Sequence, residues 1–239
     1  MRWGMRGVFL FFFLTSVLYA SDFVQEIEQP LEKALIPIGF DNNDSVQIMV
    51  TGRFKSPCYQ IGTFYSTVDR KKKVVEVQLS AYEYKGCSLD VEVPFYQVIP
   101  LGLIREAGDY TVKDMTGKNA LGVLKIAPAE VSPETTDDFT YAPLLDAFIL
   151  ERKSGKKVLI LTGVFSDSCL RFQKVEVKYY PEVVVVLPKI YRPKNAGCEK
   201  GEFPFRREEV LNADLPAKFL LHVRSWGGQA INKTVVRTR

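Results

Sequence analysis

Histidine is scarce in this chain, and its scarcity excludes most of the usual catalytic and zinc-binding arrangements. Among the 239 residues there is one histidine, His222. Any nucleophile that is activated by histidine would have to use it, and zinc sites are built from several histidine or cysteine ligands. His222 stands between Leu221 and Val223, which we predict to point inward. We therefore predict that His222 lies on the outer face of a strand, solvated or in a cross-strand pair. We predict no catalytic residues and no enzyme.

Concentrated charge and glycine-rich loops are also missing. The formal net charge is +4, and the only compact basic run, residues 71–73, is predicted to be a solvated turn. Nucleic-acid phosphates require clustered lysine and arginine, so we predict no nucleic-acid partner. The isolated pair Gly227-Gly228 predicts a hairpin turn rather than a phosphate-binding loop. We therefore predict no cofactor.

Long apolar runs are limited to the N-terminus. Residues 8–14 are apolar, Arg2 and Arg6 precede them, and residues 18–20 resemble a processing site. The run is about half of the roughly 20 apolar residues that cross a membrane. We predict a signal peptide over residues 1–20, cleaved after Ala20, with an uncleaved anchor as the alternative. Loss of the two arginines lowers the formal charge from +4 to about +2. The predicted location is periplasmic or extracellular, with no transmembrane segment after cleavage.

One phrase of eleven residues occurs twice, as "VTGRFKSPCYQ" and as "LTGVFSDSCLR". An offset of 111 positions relates the two copies and further matching residues. The matching pairs are Cys58 and Cys169, Cys87 and Cys198, Thr51 and Thr162, Gly52 and Gly163, Phe54 and Phe165, Gly86 and Gly197, and, after a one-residue slip, Phe95 and Phe205. This register predicts a tandem duplication of one unit of about a hundred residues.

The four cysteines are predicted to form two structural disulfides. An oxidising compartment allows disulfides to persist, and four cysteines permit three pairings. The duplication selects the pairing within each unit, Cys58 with Cys87 and Cys169 with Cys198. No Cys-x-x-Cys motif is present, so a redox role is not expected. Each bridge is expected to contribute about 3–4 kcal/mol through loop closure.

Alternating apolar and polar residues predict an all-β protein. The strands predicted in the first unit cover residues 35–40, 46–54, 62–68, 74–84, 95–101, 110–113 and 121–126. In the second unit, residues 183–187 are continuously apolar, which predicts a strand covered on both faces. The fold class that we predict is two tandem immunoglobulin-like β-sandwich domains preceded by a short helix. The predicted segments are a helical segment over 21–34, a first domain over 35–127, a linker over 128–143 and a second domain over 144–239.

The order of motifs in each unit resembles a known type of module. Gly52, Cys58, a strand, Cys87, Pro94-Phe95 and Gly108-x-Tyr110-x-Val112 follow one another in the first unit. This order resembles a small exported immunoglobulin-like β-sandwich module of bacteria, present here as a tandem duplication. The resemblance covers residues 46–112 and 157–223, and it implies a fold and a compartment but no activity. Tyr110 resembles the tyrosine of a tyrosine corner, whose hydroxyl bonds to upstream backbone; Leu221 stands at the equivalent position of the second unit.

Acidic residues offer one candidate metal site. The sequence FDNNDS contains Asp41, Asn42, Asn43 and Asp44, and calcium prefers six to eight oxygen ligands. The spacing is not that of an EF-hand loop, and a polar hairpin turn explains the same residues. We therefore predict no metal. Two acidic pairs are also present, residues 137–138 in the predicted linker and residues 208–209 in a predicted loop, and nothing in the sequence indicates that they meet.

Aromatic residues near strand ends are the remaining candidates for binding. The candidate binding aromatics are Tyr65, Tyr82, Tyr84, Tyr180 and Tyr191. Exposed on one side, they would stack on sugar rings or anchor a protein; otherwise they pack across strands. The predicted function is an exported, non-catalytic structural or binding protein of the cell envelope, with an envelope protein or polysaccharide as partner. The alternatives are glycan binding or an enzyme or inhibitor that uses loops at the domain junction, and an accessory subunit that docks through residues 21–34.

Overall fold

A computed structural model describes residues 23–115, 119–130, 137–194, 197–211 and 214–236. The predicted signal peptide lies outside these residues. The described chain is all-β, with sixteen strands, and it contains no helix that is long and apolar enough to span a membrane. The strands are β1 Val24–Gln29, β2 Lys33–Leu35, β3 Phe40–Asp41, β4 Ser45–Phe54, β5 Tyr59–Asp69, β6 Val74–Tyr84, β7 Val93–Leu103, β8 Gly108–Asp114, β9 Ala120–Ala127, β10 Leu144–Glu151, β11 Lys157–Asp167, β12 Arg171–Tyr179, β13 Val183–Tyr191, β14 Lys200–Leu211, β15 Lys218–Arg224 and β16 Ala230–Val236.

The short helix predicted over residues 21–34 is wrong. From residue 23 onwards this segment forms strands β1 and β2, and β1 pairs antiparallel with β6 so that Ile27 lies opposite Ala81. Ile27, Gln29 and Leu31 are the less exposed residues, which is a period of two. The polar Gln29 hides that period in the sequence, since its side chain is buried while it donates to the Arg53 carbonyl at 3.0 Å. Pairing with β6 outweighs the weak tendency of so short a segment to form a helix.

Strands β1–β9 form the first half of the molecule, residues 23–127, as two sheets. Sheet I has the order β2-β4-β7, and sheet II contains β1, β6, β8, β9 and β3, with β5 also paired to β6. β6 and β8 run parallel, whereas β4 and β7 run antiparallel. The predicted strand over residues 35–40 is interrupted: β2 ends at its first residue and β3 begins at its last.

Strands β10–β16 form the second half, residues 144–236, also as two sheets. Sheet III has the order β10-β11-β14, and sheet IV has the order β12-β13-β15-β16. β13 and β15 run parallel, as β6 and β8 do in the first half. The connections are therefore alike: β4 to β9 and β11 to β16 follow the same order of pairings, apart from the added strands β1 and β3.

Each half buries an apolar core between its own two sheets. In the first half, Val50 and Ile99 of sheet I face Val77 and Leu124 of sheet II. In the second half, the buried side chains of β10 and β11 pack against those of β13 and β15. The core residues of the second half are Ala147, Leu159, Leu161, Val184, Val186, Leu211, Leu215, Phe219, Leu221 and Val223.

A third apolar cluster joins the two halves. Leu35 and Met49 on the outer face of sheet I pack with Val185, Leu187 and other side chains on the outer face of sheet IV. Strand β13 is therefore covered on both faces, because Val184 and Val186 point to the core of the second half. This confirms the prediction drawn from the continuous apolar run at residues 183–187.

The two disulfides are Cys58–Cys87 and Cys169–Cys198, as the repeat register predicts. Both close loops with a sequence separation of 29, and their Cα atoms lie 5.8 Å and 5.4 Å apart. The Cys58–Cys87 bridge joins the turn after β4 to the loop after β6. The Cys169–Cys198 bridge joins the turn after β11 to the loop after β13. No cysteine among the described residues is free.

A phenylalanine ring lies over a glycine at the same place in each half. A β-carbon at Gly52 would lie 2.5 Å from Phe95 Cζ, and one at Gly163 would lie 2.5 Å from Phe205 Cζ. Neither position can accept alanine without a shift of the ring or the strand. These matched contacts account for two of the residue pairs that recur in the sequence.

Strand β8 is anchored by a buried tyrosine that the second half lacks. The Tyr110 hydroxyl donates to the Glu106 carbonyl at 2.8 Å, and the side chain is fully buried. This is the upstream backbone bond that we predict for Tyr110. Lys73 adds a contact over the ring, with its ammonium 4.7 Å from the ring centroid. At the equivalent place of β15, Leu221 is buried by apolar packing alone.

Candidate functional site

A buried arginine at the end of β15 connects the two halves. The Arg224 guanidinium donates to both carboxylate oxygens of Asp44, at 2.8 Å to Oδ1 and 2.5 Å to Oδ2. A third bond from Nη2 reaches the Gly39 carbonyl at 2.6 Å. The side chains of Arg224 and Asp44 are 8% and 3% exposed, so this is a desolvated, two-pronged ion pair.

The Asp41–Asp44 segment is a polar turn, as we predict, but it is not a hairpin, because β3 pairs with β9 in sheet II and β4 pairs with β2 and β7 in sheet I. Asp44 accepts from the Asp41 backbone N–H at 2.9 Å, and Asp41 accepts from the Asn43 N–H at 3.2 Å. Arg224 supplies a positive charge that this turn faces. Among the described residues, the one group of three metal-capable side chains is Asp167, Cys169 and Cys198, and its two cysteines belong to a disulfide.

The junction segment, residues 137–143, completes the surroundings of Arg224. Asp137 Oδ2 lies 3.8 Å from Arg224 Nη1, and the Tyr141 hydroxyl accepts from the same nitrogen at 3.3 Å. Asp138 Oδ1 accepts from the Asn43 side-chain amide at 2.9 Å. The fold brings this acidic pair to the turn before β4, whereas residues 208–209, which we predict to lie in a loop, belong to strand β14. Asp137 has a left-handed backbone with φ of 69°, which is uncommon outside glycine.

Several carboxylates here share one buried cation, and their protonation equilibria reflect it. Burial and the neighbouring Asp44 raise the pKa of Asp41 to about 6. Burial also raises the pKa of Asp44 and of Asp137, although the positive charge of Arg224 opposes the rise in both. Burial alone would lower the pKa of Arg224, but the surrounding acids raise it, so the guanidinium stays charged. Two carboxylates, those of Asp44 and Asp137, therefore lie around the guanidinium of Arg224.

A cleft of about 240 Å³ opens beside this ion pair, and we call it the aromatic cleft. Its lining residues are Asp137, Phe139, Thr140, Tyr141, Ser225, Trp226, Gly227 and Gly228. The Phe139 and Trp226 side chains are 42% and 54% exposed, so both rings face solvent at the cleft. Gly227 and Gly228 form the predicted turn between β15 and β16, with φ of 69° and 73°, and this backbone leaves one wall free of side chains.

His222 lies in the junction and not in solvent. It is 1% exposed, its ring packs edge-on against Phe40, and its Nδ1 lies 2.7 Å from Asn232 Oδ1 on the paired strand. The predicted cross-strand pair is confirmed, whereas the solvated alternative is wrong because sheet I covers the outer face of sheet IV. Burial lowers the pKa of His222 to about 4, which keeps the ring neutral near pH 7. Asn232 in turn donates to Gln47 Oε1 of the first half at 2.7 Å.

A second cleft, of about 190 Å³, is lined by both halves, and we call it the mixed-charge cleft. Its lining residues are Glu32, Lys33, Leu35, Thr51, Gly52, Arg53, Pro94, Tyr96, Glu182, Lys218 and Phe219. Glu182 pairs with Lys33 at 2.5 Å, and the Lys218 ammonium lies 4.7 Å from the centre of the Tyr96 ring.

The five predicted binding tyrosines are not gathered at one site. Tyr65, Tyr82 and Tyr84 share the outer face of sheet II, since Tyr65 pairs with Gln78 and alternate residues of β6 point the same way. Tyr65 and Tyr84 are 59% and 43% exposed. Tyr180 packs against the apolar cluster that joins the two halves, and Tyr191 is exposed at the other end of β13.

The residues at the junction were not predicted as a site. Arg224, Phe139 and Trp226 come from different elements, and no spacing in the sequence links them. Comparison with protein-family models, curated proteins and solved structures finds no significant match to this chain. The described side chains therefore carry the functional argument.

Proposed function

We propose that the protein is an exported, non-catalytic structural or binding protein of the cell envelope, built by tandem duplication of an immunoglobulin-like β-sandwich module. The observation that carries this proposal is the repeated pattern of the halves. Each half has the same order of strand pairings, including one parallel pair, and one disulfide at the matching place. Two sheets around one core in each half are what a β-sandwich requires.

The disulfides support the exported location. Both bridges join cysteines within one half, and disulfides persist in the periplasm or outside the cell rather than in a reducing cytosol. The predicted signal peptide supplies the route. The proposed periplasmic or extracellular location thus follows from two independent features of the chain.

The packed junction supports a structural or binding role. An apolar cluster and the Arg224–Asp44 pair fix the halves against each other, so surfaces on both are held in a constant arrangement. Such a body suits presentation of a binding surface to an envelope protein or polysaccharide. The outer face of sheet II, with Tyr65, Tyr82 and Tyr84, is the partner surface that we propose.

Export can be tested with the full chain in a bacterial host that has a periplasm. We expect fractionation to find the protein outside the cytoplasm, and intact mass to give a chain that begins at Ser21 with both disulfides formed. The matched control is Phe11→Arg, which interrupts the apolar run and should keep the chain in the cytoplasm. Cytoplasmic wild-type protein with four free thiols would contradict the proposal.

Partner binding can be tested by recovery from native envelope extract. Replacing Tyr65, Tyr82 and Tyr84 together by serine should reduce recovery of an envelope protein or polysaccharide, whereas Tyr191→Ser should not. Equal recovery with both variants would remove the outer face of sheet II as the binding surface.

The mixed-charge cleft favours the alternative function, glycan binding or an enzyme or inhibitor at the junction. Both halves line it, and it contains the aromatic Tyr96 and two glutamates. These glutamates already pair with basic residues, Glu182 with Lys33 and Glu32 with Arg53. That pairing favours recognition of a ligand over acid–base chemistry. Glu182→Gln should abolish any glycan binding at this cleft, and an unchanged affinity would exclude it as the site.

A further inference from the structure

We propose that the aromatic cleft binds an organic ammonium cation, supplied either by a small amine or by a lysine side chain of a partner. Phe139, Tyr141 and Trp226 provide aromatic rings in the lining of the cleft, and Asp137 provides a carboxylate. This inference rests on the proposed binding function and gives that function a ligand class.

The rings are placed so that a ligand can reach them. Trp226 and Phe139 are both more than one-third exposed. A β-carbon at Gly227 would meet nothing within 4 Å, so the backbone beside Trp226 leaves open space. Tryptophan is the best of the aromatic side chains for holding a cation over its face.

The charges favour a positively charged ligand. The positive charge of Arg224 is already balanced by Asp44, which accepts two hydrogen bonds from it. Asp137 lies farther away, with its Oδ2 3.8 Å from Arg224 Nη1. Asp137 is thus a second carboxylate that shares one guanidinium, and it lines the cleft. Lys189 already places its ammonium 3.3 Å from the centre of the Phe139 ring, so Trp226 is the exposed ring that a ligand cation would use. A cation beside Trp226 would give Asp137 a closer partner than Arg224.

The chemistry of the walls selects an organic cation over a metal ion or a neutral sugar. A hard metal ion requires several oxygen ligands, and the aromatic cleft offers one carboxylate among rings. A neutral sugar would gain ring contacts but nothing from Asp137 beyond a hydrogen bond. Alkylammonium groups gain from both, because their charge attracts the carboxylate and their carbon atoms fit against the rings.

The cleft carries its own spectroscopic reporter. The chain has two tryptophans, Trp3 and Trp226, and the first lies in the predicted signal peptide. In the exported chain, Trp226 fluorescence therefore reports on the cleft alone. We would titrate this protein with choline and, as the matched control, with 3,3-dimethyl-1-butanol, which has the same shape without the charge.

We expect choline to give a saturable change in Trp226 fluorescence and the uncharged alcohol to bind at least about threefold more weakly. Nα-acetyl-lysine amide distinguishes the sources: tighter binding than choline indicates a lysine of a protein partner, and weaker binding indicates a small quaternary amine. Equal responses to choline and the alcohol, saturation by N-acetylglucosamine alone, or no response to any cation would overturn the proposal.

Variants locate the binding site. Asp137→Asn should weaken choline binding by at least about threefold, while Asp90→Asn, at an exposed acid far along the chain, should leave it unchanged. Trp226→Leu should abolish binding. Since this variant lacks the fluorescent reporter, its binding is measured by the broadening of the choline methyl signal in NMR. Because Asp137 also contacts Arg224, circular dichroism must show that the Asp137→Asn variant is folded. The comparison of choline with 3,3-dimethyl-1-butanol uses the unaltered protein and does not depend on this variant. Protein that begins at Ser21 has Trp226 as its single tryptophan whether or not export occurs, so failure here is distinct from failure of export.

Discussion

Corresponding strands of the two halves begin from turns of opposite character. The turn before β4 carries Asp41 and Asp44 and is buried against Arg224 in the junction. The turn before β11 is basic and exposed, and its Arg152 pairs with Glu208 on the surface. The turn before β4 therefore contacts the other half, whereas the equivalent turn before β11 contacts water.

Strands β8 and β15 differ in the same sense. Tyr110 of β8 bonds to upstream backbone, and Thr111 beside it is half-buried. On β15 the corresponding residues are Leu221 and His222, and His222 is buried under sheet I. The two halves therefore share contacts that lie inside each half, such as the disulfides and the phenylalanine–glycine contacts. They differ where one half covers the other.

Removal of the junction arginine should have the largest effect. Arg224→Met leaves Asp44 buried without its cation, and we expect a loss of about 3–5 kcal/mol in the free energy of unfolding. Arg152→Met, at the exposed pair of the second half, should cost less than about 1 kcal/mol. Denaturant unfolding followed by circular dichroism measures both. Similar losses for the two variants would show that burial does not distinguish these pairs.

The disulfides should contribute equally, because both close loops of the same length. Replacing Cys58 and Cys87 together by serine should cost about 3–4 kcal/mol, and replacing Cys169 and Cys198 together should cost the same within about 1 kcal/mol. Urea unfolding of the two double variants makes the comparison. A much larger loss in one half would mean that the bridges support different native contacts.

Tyr110→Phe should cost about 1 kcal/mol, since it removes the hydroxyl that bonds to the Glu106 carbonyl. The control is Tyr84→Phe, whose exposed hydroxyl donates to Gln60 Oε1 at 2.8 Å and should matter by less than about 0.5 kcal/mol. Thermal and chemical unfolding report the difference. If both variants match the wild-type protein, β8 is held by packing alone, as β15 is.

Asp41→Asn should have no effect at about pH 4, which makes it the smallest of these changes there, and its effect should grow as the pH rises. The pKa of Asp41 is raised to about 6 by burial and by Asp44, so the folded state favours its protonated form. Stability from this group is present below its unfolded pKa of about 4 and is lost as the pH rises through about 6. The variant should therefore be more stable than wild type at about pH 8 and equal to it at about pH 4. A constant difference across unfolding measurements in this range would contradict the assignment.

The sequence predicts contacts within each half better than contacts between the halves. Repetition fixes the cysteine pairing, and alternation locates six of the seven strands predicted in the first half. It fails for residues 24–29, where the buried polar Gln29 breaks the apolar period. The ends of a strand and the partner of a buried charge depend on distant elements, and neither leaves a local pattern.

His222 shows what could have been inferred. The continuous apolar run at residues 183–187 predicts that both faces of β13 are covered, and Val185 pairs with His222 on the adjacent parallel strand. The same cover therefore extends to the histidine. Arg224 lies two residues further on that face, so its burial follows too. Its partner Asp44 does not, because 180 residues separate them and nothing in the sequence relates the two.

The apolar outer face of sheet I has a consequence for the order of synthesis. All strands of the first half are complete by Ala127, whereas β13 and β15, which cover that face, emerge later. At roughly 5–20 residues per second, the delay is on the order of ten seconds. During this interval Leu35 and Met49 lack the apolar side chains that cover them in the complete fold. A factor that shields newly made chains would act on this molecule in that window.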